Sequence, residues 1–397
     1  MKDIARSNRY HIGLFGRRNV GKSTLLNALS GQDVSIVSDV AGTTTDTVWK
    51  NIELPGIGAA VIGDTAGFDD IGELGSMRNK RTQKTSEQVD MALILVNGTP
   101  DKIDLELKWI ESLNNADIPI IIVLTKCDEH EDVHNVLSAW KSLLKQDIIA
   151  VSAKEKKGID NLLNKMSSLY KIDDDLEDIT YSLVKKGDIV VLVMPQDAQA
   201  PKGRLIQPQV VTLRNILDKH ALPLCCAPEE LPQMLDNLKN PPSLIITDSQ
   251  VFAQVKALTP KETKLTSFSV LMARHKGDIE SFLQGAKALM TLPDNAKILI
   301  AEACSHIPQN EDIGRIKLPK MLKKKFGDEL QIDIVSGNDF PEDLDKYNLI
   351  IHCGACMFNR RHVLSRIRKA KSQNIPITNY GIAIAAMTGI LDNVSIS

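Results

Sequence analysis

The sequence predicts an α/β protein whose first domain is built on a central, mostly parallel sheet, with further α/β domains behind it. Three observations carry this. Between residues 10 and about 170, short apolar runs alternate with longer amphipathic segments, the pattern of parallel strands joined by helical crossovers. A glycine-bearing segment, Gly16-Arg17-Arg18-Asn19-Val20-Gly21-Lys22-Ser23, stands between the first apolar run and the first helical one. At roughly 100–200 residues per domain, 397 residues make two to three domains.

In order along the chain, the runs at 11–15, 59–63, 91–96, 120–124 and 148–151 have the length and composition of buried strands. Residues 21–30 and 138–144 read as helices between them. Pro119 suits the first residue of a strand. An acidic stretch, Asp173-Asp174-Asp175-Leu176-Glu177-Asp178, reads as a linker, so the first domain is expected at 1–172. A second region, 180–265, has strand-like 188–194, a loop at 195–208 with Pro and Gly, helix-like 210–219 and strand-like 243–247. Its Val- and Ile-rich Ile189–Val193 suits either sheet extension across a two-fold axis or core burial. A third region, 266–397, has strand-like 297–301 and 348–352, each running into a loop with Cys and His. There is no internal repeat and no low-complexity tract.

Composition narrows the function classes. Lys plus Arg is 48 against 50 Asp plus Glu, a net charge of −2, which disfavours a nucleic-acid partner. The 43% apolar content excludes global disorder. No run reaches the ~18–20 apolar residues of a membrane span, and residues 1–10 are polar and basic with no apolar core behind them. A cytoplasmic, reducing location is therefore expected. Six Cys are too few for a disulfide scaffold. All lie at or beyond Cys127: the others are Cys225, Cys226, Cys304, Cys353 and Cys356.

The segment from Gly16 to Ser23 fits G-x-x-x-x-G-K-[ST] and lies between strand and helix, which is its required context. Gly16 and Gly21 let the backbone curl so that amides face phosphates, and the helix N-terminus adds positive potential. Lys22 is expected on the β- and γ-phosphates and the Ser23 hydroxyl on Mg²⁺, with Thr24 beside it. Four more elements follow. Thr44, in Gly42-Thr43-Thr44, is placed to close over Mg²⁺ and the γ-phosphate. In Asp64-Thr65-Ala66-Gly67, Asp64 would hold Mg²⁺ through water and the Gly67 amide would sense the γ-phosphate. In Thr125-Lys126-Cys127-Asp128, the Asp128 carboxylate accepts from guanine N1 and N2, and Lys126 lies against the base. Ser152-Ala153-Lys154 offers backbone to guanine O6.

The order and spacing of these five elements resemble the translation-factor-related small GTPases. Lys22, Thr44 and Gly67 are then the expected catalytic positions, with GTP or GDP and Mg²⁺ bound. Thr125 stands where that family usually has Asn, which weakens loop anchoring. Phe68 stands where Ras-type enzymes carry a water-positioning Gln, so hydrolysis is expected to be slow. Asn19 resembles the Asn of the potassium-activated GTPases akin to MnmE, which implies K⁺ in place of an arginine finger; the alternative is a plain turn residue.

Cys304-Ser305-His306 and His352-Cys353-Gly354-Ala355-Cys356 each follow a strand-like run, so the two loops are expected at one edge of a sheet. Thiolates and imidazoles there suit either a Cys₃His zinc site or an iron–sulfur cluster. A GTPase-like N-terminus joined to C-x-H…H-C-x-x-C resembles the HydF family of FeFe-hydrogenase maturation GTPases. Flanking segments agree: Leu265-Thr266-Ser267-Phe268-Ser269, Arg274-His275-Lys276-Gly277-Asp278, Met357-Phe358-Asn359-Arg360-Arg361 and Thr378-Asn379-Tyr380-Gly381. The resemblance covers essentially the whole chain. It implies a dimerisation domain at 180–265 and a cluster-binding domain at 266–397, with homodimers or higher oligomers. It also implies a 4Fe-4S cluster on Cys304, Cys353 and Cys356, with one iron left open. His306 and His352 are candidates for that iron or for hydrogen bonding near it, as are Glu302 and Asp312. The implied work is that of a scaffold, which receives a transient diiron precursor from radical-SAM maturases and passes it to apo-FeFe-hydrogenase. Arg360 and Arg361 would hold that anionic cargo or sit on an exposed helix face.

Two other readings compete: a tRNA-modification or ribosome-assembly GTPase, disfavoured by the C-terminal ligand set, and a zinc-stabilised regulatory GTPase. Cys225, Cys226 and Cys127 read as ordinary thiols, and His130 and His134 as a solvated face.

Overall fold

The computed structural model describes residues 9–30, 48–65, 85–101, 103–170, 178–196, 205–303, 313–337, 339–355, 358–391 and 394–395. Thr44, Gly67, Phe68, Cys304, His306, Asp312, Cys356, Met357 and most of the acidic linker lie outside the described residues. The chain forms two compact units, Met1–Lys171 and Ile172–Ser397.

The first unit is a six-stranded sheet in the order β2-β3-β1-β4-β5-β6. Its strands are β1 (Tyr10–Gly16), β2 (Val48–Leu54), β3 (Gly58–Asp64), β4 (Met91–Val96), β5 (Ile120–Leu124) and β6 (Ile148–Ala150). All pairings are parallel except β2 with β3. The parallel strands are nearly continuous apolar runs because helices cover both faces: α1 (Lys22–Ser30), α2 (Asp104–Asn115), α3 (Val133–Leu144) and α4 (Ile159–Leu169). One face buries Ile12, Leu14, Leu25 and Met166, the other Phe15, Ile94, Leu113 and Trp140. The sequence does not announce β2. It reads VWKNIEL, an edge strand in which Ile52 and Leu54 are buried and the residue between them faces out, too mixed a pattern to stand out as a buried run.

The second unit carries two four-stranded, all-parallel sheets. The first, in the order β10-β9-β7-β8, comprises β7 (Ile189–Val193), α5 (Gln207–Asp218), β8 (Leu222–Cys226), α6 (Leu231–Asp236), β9 (Leu244–Thr247), α7 (Phe252–Leu258) and β10 (Lys264–Ser267). β7 is an interior strand paired on both sides, and Val190 to Val193 are fully buried. Core burial, rather than sheet extension, therefore explains its composition. Cys225 is exposed and Cys226 buried, on opposite faces of edge strand β8, and burial pushes the Cys226 thiol up to about 11.

Helices α8 (Phe268–Lys276) and α9 (Ile279–Leu289) lead to the last sheet, in the order β12-β11-β13-β14. Its elements are β11 (Lys297–Ala301), α10 (Leu318–Phe326), β12 (Gln331–Val335), β13 (Leu349–His352), α11 (Arg360–Ser372), β14 (Ile377–Asn379) and α12 (Tyr380–Met387). β11 and β13 are adjacent, with Ala301 opposite His352. The two loops expected to converge thus leave neighbouring parallel strands at the same end. Among the described residues, no helix is long and apolar enough to cross a membrane.

Candidate functional site

In the first unit, β1 delivers the chain into the phosphate loop and α1 carries it away. Gly16 must be glycine: a Cβ there would sit 2.7 Å from Leu95 O and 2.9 Å from the Val20 side chain. Asn19 and Gly21 both hold positive φ, 56° and 102°, which curls the loop. The Lys22 side chain, buried, folds back so that Nζ donates to Gly16 O at 2.9 Å and Arg17 O at 2.8 Å. Its ammonium is therefore held within the arc of the loop. The Ser23 hydroxyl donates to Asp64 Oδ2 at 2.5 Å. The two residues expected to serve Mg²⁺, 41 positions apart in sequence, meet at the end of β3 because β3 pairs with β1. Thr65 fixes that corner, its hydroxyl donating to Leu14 O at 2.6 Å.

A contact that sequence did not foresee holds the other flank. Arg17 donates through two nitrogens to both oxygens of Glu106, at 2.7 and 2.9 Å. Glu106 lies in α2 with its carboxylate almost fully buried. Its acidic position in the first helical turn fits the helix dipole, and the two-pronged geometry is the strong form of this pair.

Thr125 also departs from expectation. Its buried hydroxyl donates to Val20 O in the phosphate loop and lies 3.1 Å from Val96 O. The threonine thus ties the base-binding loop to the phosphate loop instead of loosening it. Lys126 takes a left-handed conformation, φ 53°, which turns the chain toward Asp128. A hydrogen bond from the Ser152 hydroxyl, above all, holds the Asp128 carboxyl below its usual range, so it is an ionised acceptor. The Ser152 backbone is spent on a reciprocal pair with Lys157 at 3.0 Å. Its side chain holds Asp128. His130 is half-buried rather than fully solvated, its Nε2 lying 3.0 Å from Asn97 Oδ1 and 3.3 Å from Gly98 N. His134 is exposed, as expected.

In the second unit, Cys353 N–H donates to Ala301 O at 2.9 Å, and Cys353 Sγ accepts from Ala303 N–H at 3.0 Å and Ala355 N–H at 3.4 Å. The sulfur therefore lies against the backbone one residue before Cys304. Ala355 has φ 50°, which aims its amide back at the sulfur. Two donors on one sulfur favour thiolate over thiol, the form that binds metal. The donor set suits an iron–sulfur cluster or a thiolate-bound zinc. Among the described residues no group of His, Cys, Asp and Glu forms a metal-holding cluster.

His352 changes role. Its ring is fully buried; Nδ1 donates to Cys353 O at 2.7 Å and Nε2 accepts from Arg366 at 3.0 Å. Burial, with the Arg366 guanidinium beside it, pushes its pKa down to about 3. Both nitrogens are engaged, so His352 braces the Cys353 carbonyl and is not an open ligand. Glu302, also buried, accepts from Arg315 Nε at 3.0 Å. Arg360 donates to the carbonyls of His275 and Gly277 at 3.0 and 3.2 Å, tying α11 to the end of α8 rather than lying on an open face. A buried imidazole that sequence did not single out, His362, stacks on Phe358 with ring centroids 4.3 Å apart. Among the described residues neither of its ring nitrogens has a hydrogen-bond partner.

Family profiles match three stretches of the chain: residues 11–126 as "50S ribosome-binding GTPase", 179–277 as "Hydrogen maturase F dimerization domain" and 280–395 as "Hydrogen maturase F tetramerization domain". The GTPase Der of Wolinella succinogenes is 36% identical over 168 residues, 40% of this chain and 36% of Der. The tRNA modification GTPase MnmE of Histophilus somni is 36% identical over 150 residues, 37% of this chain and 32% of MnmE. The chain thus spans about a third of the length of these curated relatives. A crystal structure of a single-residue variant of Aquifex aeolicus Era bound to GDP and aluminium fluoride aligns with 55% of this chain and 92% of its own, at 21% identity and a TM-score of 0.34.

Proposed function

We propose, for a chain that belongs to the hydrogen maturase F (HydF) family, with a P-loop GTPase domain followed by dimerization and tetramerization domains, a GTP-regulated metallocluster scaffold. The first unit binds GTP with Mg²⁺ and hydrolyses it. Lys22 neutralises the phosphates, Ser23 and Asp64 serve the metal, and Asp128 reads guanine. Thr44 and Gly67 are the expected γ-phosphate sensors. Asn19, already curled at φ 56°, is assigned to a potassium ion, so hydrolysis should run faster in K⁺ than in Na⁺.

The second unit binds a 4Fe-4S cluster through Cys304, Cys353 and Cys356. That cluster supplies one iron without a cysteine, where an exchangeable ligand can sit. The chain's own contribution is to hold Cys353 as a thiolate by two amides and to keep His352 in place as a brace. The cargo is a diiron precursor taken from radical-SAM maturases and passed to apo-FeFe-hydrogenase in the cytoplasm, by a self-associating protein. The observation that supports the reading is the Cys353 sulfur against the amide of Ala303, the residue before Cys304 in sequence, at 3.0 Å, in a family of hydrogenase maturases.

Anaerobic reconstitution with iron and sulfide tests it. Wild-type protein should gain iron, acid-labile sulfide and visible absorption, and Cys353→Ser should lose all three. Uptake of zinc with no sulfide would replace this reading by a zinc-stabilised GTPase.

A further inference from the structure

The phosphate loop of the first unit is held from outside by α2. Phe15, the next-to-last residue of β1, is fully buried, and its ring meets that of Trp109 in α2 with centroids 5.5 Å apart. Gly13 leaves room for that ring: a Cβ there would come within 2.5 Å of it. Two positions after Phe15, Arg17 reaches the same helix and donates to both carboxylate oxygens of Glu106, at 2.7 and 2.9 Å. Glu106 and Trp109 are three residues apart, so they share a face of α2. That face packs on the end of β1 through an aromatic pair and grips the first loop residue through an ion pair. The Glu106 side chain is only 3% exposed, and a carboxylate so buried is costly without its partner, which keeps Arg17 in place.

What Arg17 does with its backbone gives this grip a use. Lys22 Nζ donates to two carbonyls, Gly16 O and Arg17 O. Gly16 is the last residue of β1, in register with Leu95 of β4, so the sheet fixes the first carbonyl. Arg17 stands one residue beyond the strand, and its side chain ties the second carbonyl to α2. An ammonium has three donors in a fixed arrangement, so the positions of these two carbonyls set the place and orientation of Nζ. Farther along the loop, Val20 O accepts from the Thr125 hydroxyl. The loop is thus tethered at residue 17 by a helix and at residue 20 by the segment after β5. Charge held in place by the fold needs no rearrangement during the reaction.

We infer that Glu106 is a positioning residue for GTP hydrolysis: it holds Arg17, and through the Arg17 carbonyl it fixes the ammonium of Lys22 at the phosphates. This rests on the GTPase reading above.

The test is steady-state GTP hydrolysis by the full chain with Mg²⁺, at a temperature where circular dichroism shows every variant folded. Arg17→Ala should lower kcat about 10-fold with KM for GTP close to that of wild type, because the loop amides and Asp128 still hold the nucleotide. Arg17→Lys keeps the charge without the two-pronged contact, and Glu106→Gln keeps an acceptor without the charge. Both should have kcat values between those of Arg17→Ala and wild type. Wild-type kcat in all three variants would overturn the inference. So would a rise in KM with kcat unchanged, which marks a group that serves binding alone. Failure of the wild type to hydrolyse GTP would overturn the GTPase reading itself, and this inference with it.

Discussion

Thr125 shows how one hydroxyl can replace a longer side chain. By sequence it is a departure from the usual Asn, while in the fold it bridges to Val20 O, 105 residues away. Removing the hydroxyl with Thr125→Val takes a donor from the Val20 carbonyl, at a cost of about 1–3 kcal/mol. The expected readouts are a lower melting temperature and weaker GDP binding; an unchanged melting temperature would show the bridge to be dispensable. Lys22, Ser23, Asp64 and Asp128 are legible in the sequence because each belongs to a short motif whose spacing is its own evidence. The distant partners of Thr125 and Arg17, Val20 and Glu106, are not, because only folding brings them near. His352 had two expected roles, a ligand or a hydrogen-bonding neighbour. Its place beside Cys353 suggests a ligand, yet Arg366, from the helix that follows, occupies the nitrogen a metal would need.

Elements are legible where the chain is a continuous apolar run. β4, β5 and β11 are continuous apolar runs and match the expected bounds within a residue. The strands β2, β8, β10, β12 and β14 lie at sheet edges and escape a sequence reading because they are short or mixed in polarity, whereas edge strand β6 lies within the apolar run 148–151 and is legible. The Arg17–Glu106 pair likewise depends on α2 docking beside the phosphate loop. Arg17→Ala strands a buried carboxylate, and losing one partner of such a pair costs about 3–5 kcal/mol; Arg17 is itself a third exposed, so the lower end is expected. Glu106→Gln in the Arg17→Ala background should recover part of the loss in a urea melt. If the double variant were no more stable than Arg17→Ala, the penalty would not be that of an unpaired charge.

Over the whole second unit, one helix links the cores of the two sheets. α8 contributes to both, and near the C-terminal end Ser395 N–H donates to Leu265 O in β10 at 2.8 Å. One consequence is a shared sensitivity to acid. Burial, helped by Arg366 and His352, holds His362 neutral with its pKa pushed down to about 2, against an ordinary value of 6.5. As pH falls below 6.5 the unfolded chain takes up a proton that the folded chain refuses, so stability drops. Between pH 7.5 and 5.5 that one imidazole costs about 1.4 kcal/mol. The urea midpoint of the second unit should fall over that interval, and His362→Phe, which keeps a ring for Phe358 to stack on, should flatten the fall; an equal slope in the variant would assign the acid sensitivity elsewhere. The sequence by itself determined the α/β class and the order of the nucleotide motifs, because glycine turns and apolar runs are properties of contiguous chain. Only the tertiary structure decided that Thr125 anchors a loop, that β7 is interior, that His352 is a brace and that α8 joins two cores. Each of those depends on which distant backbone groups burial leaves in need of a partner.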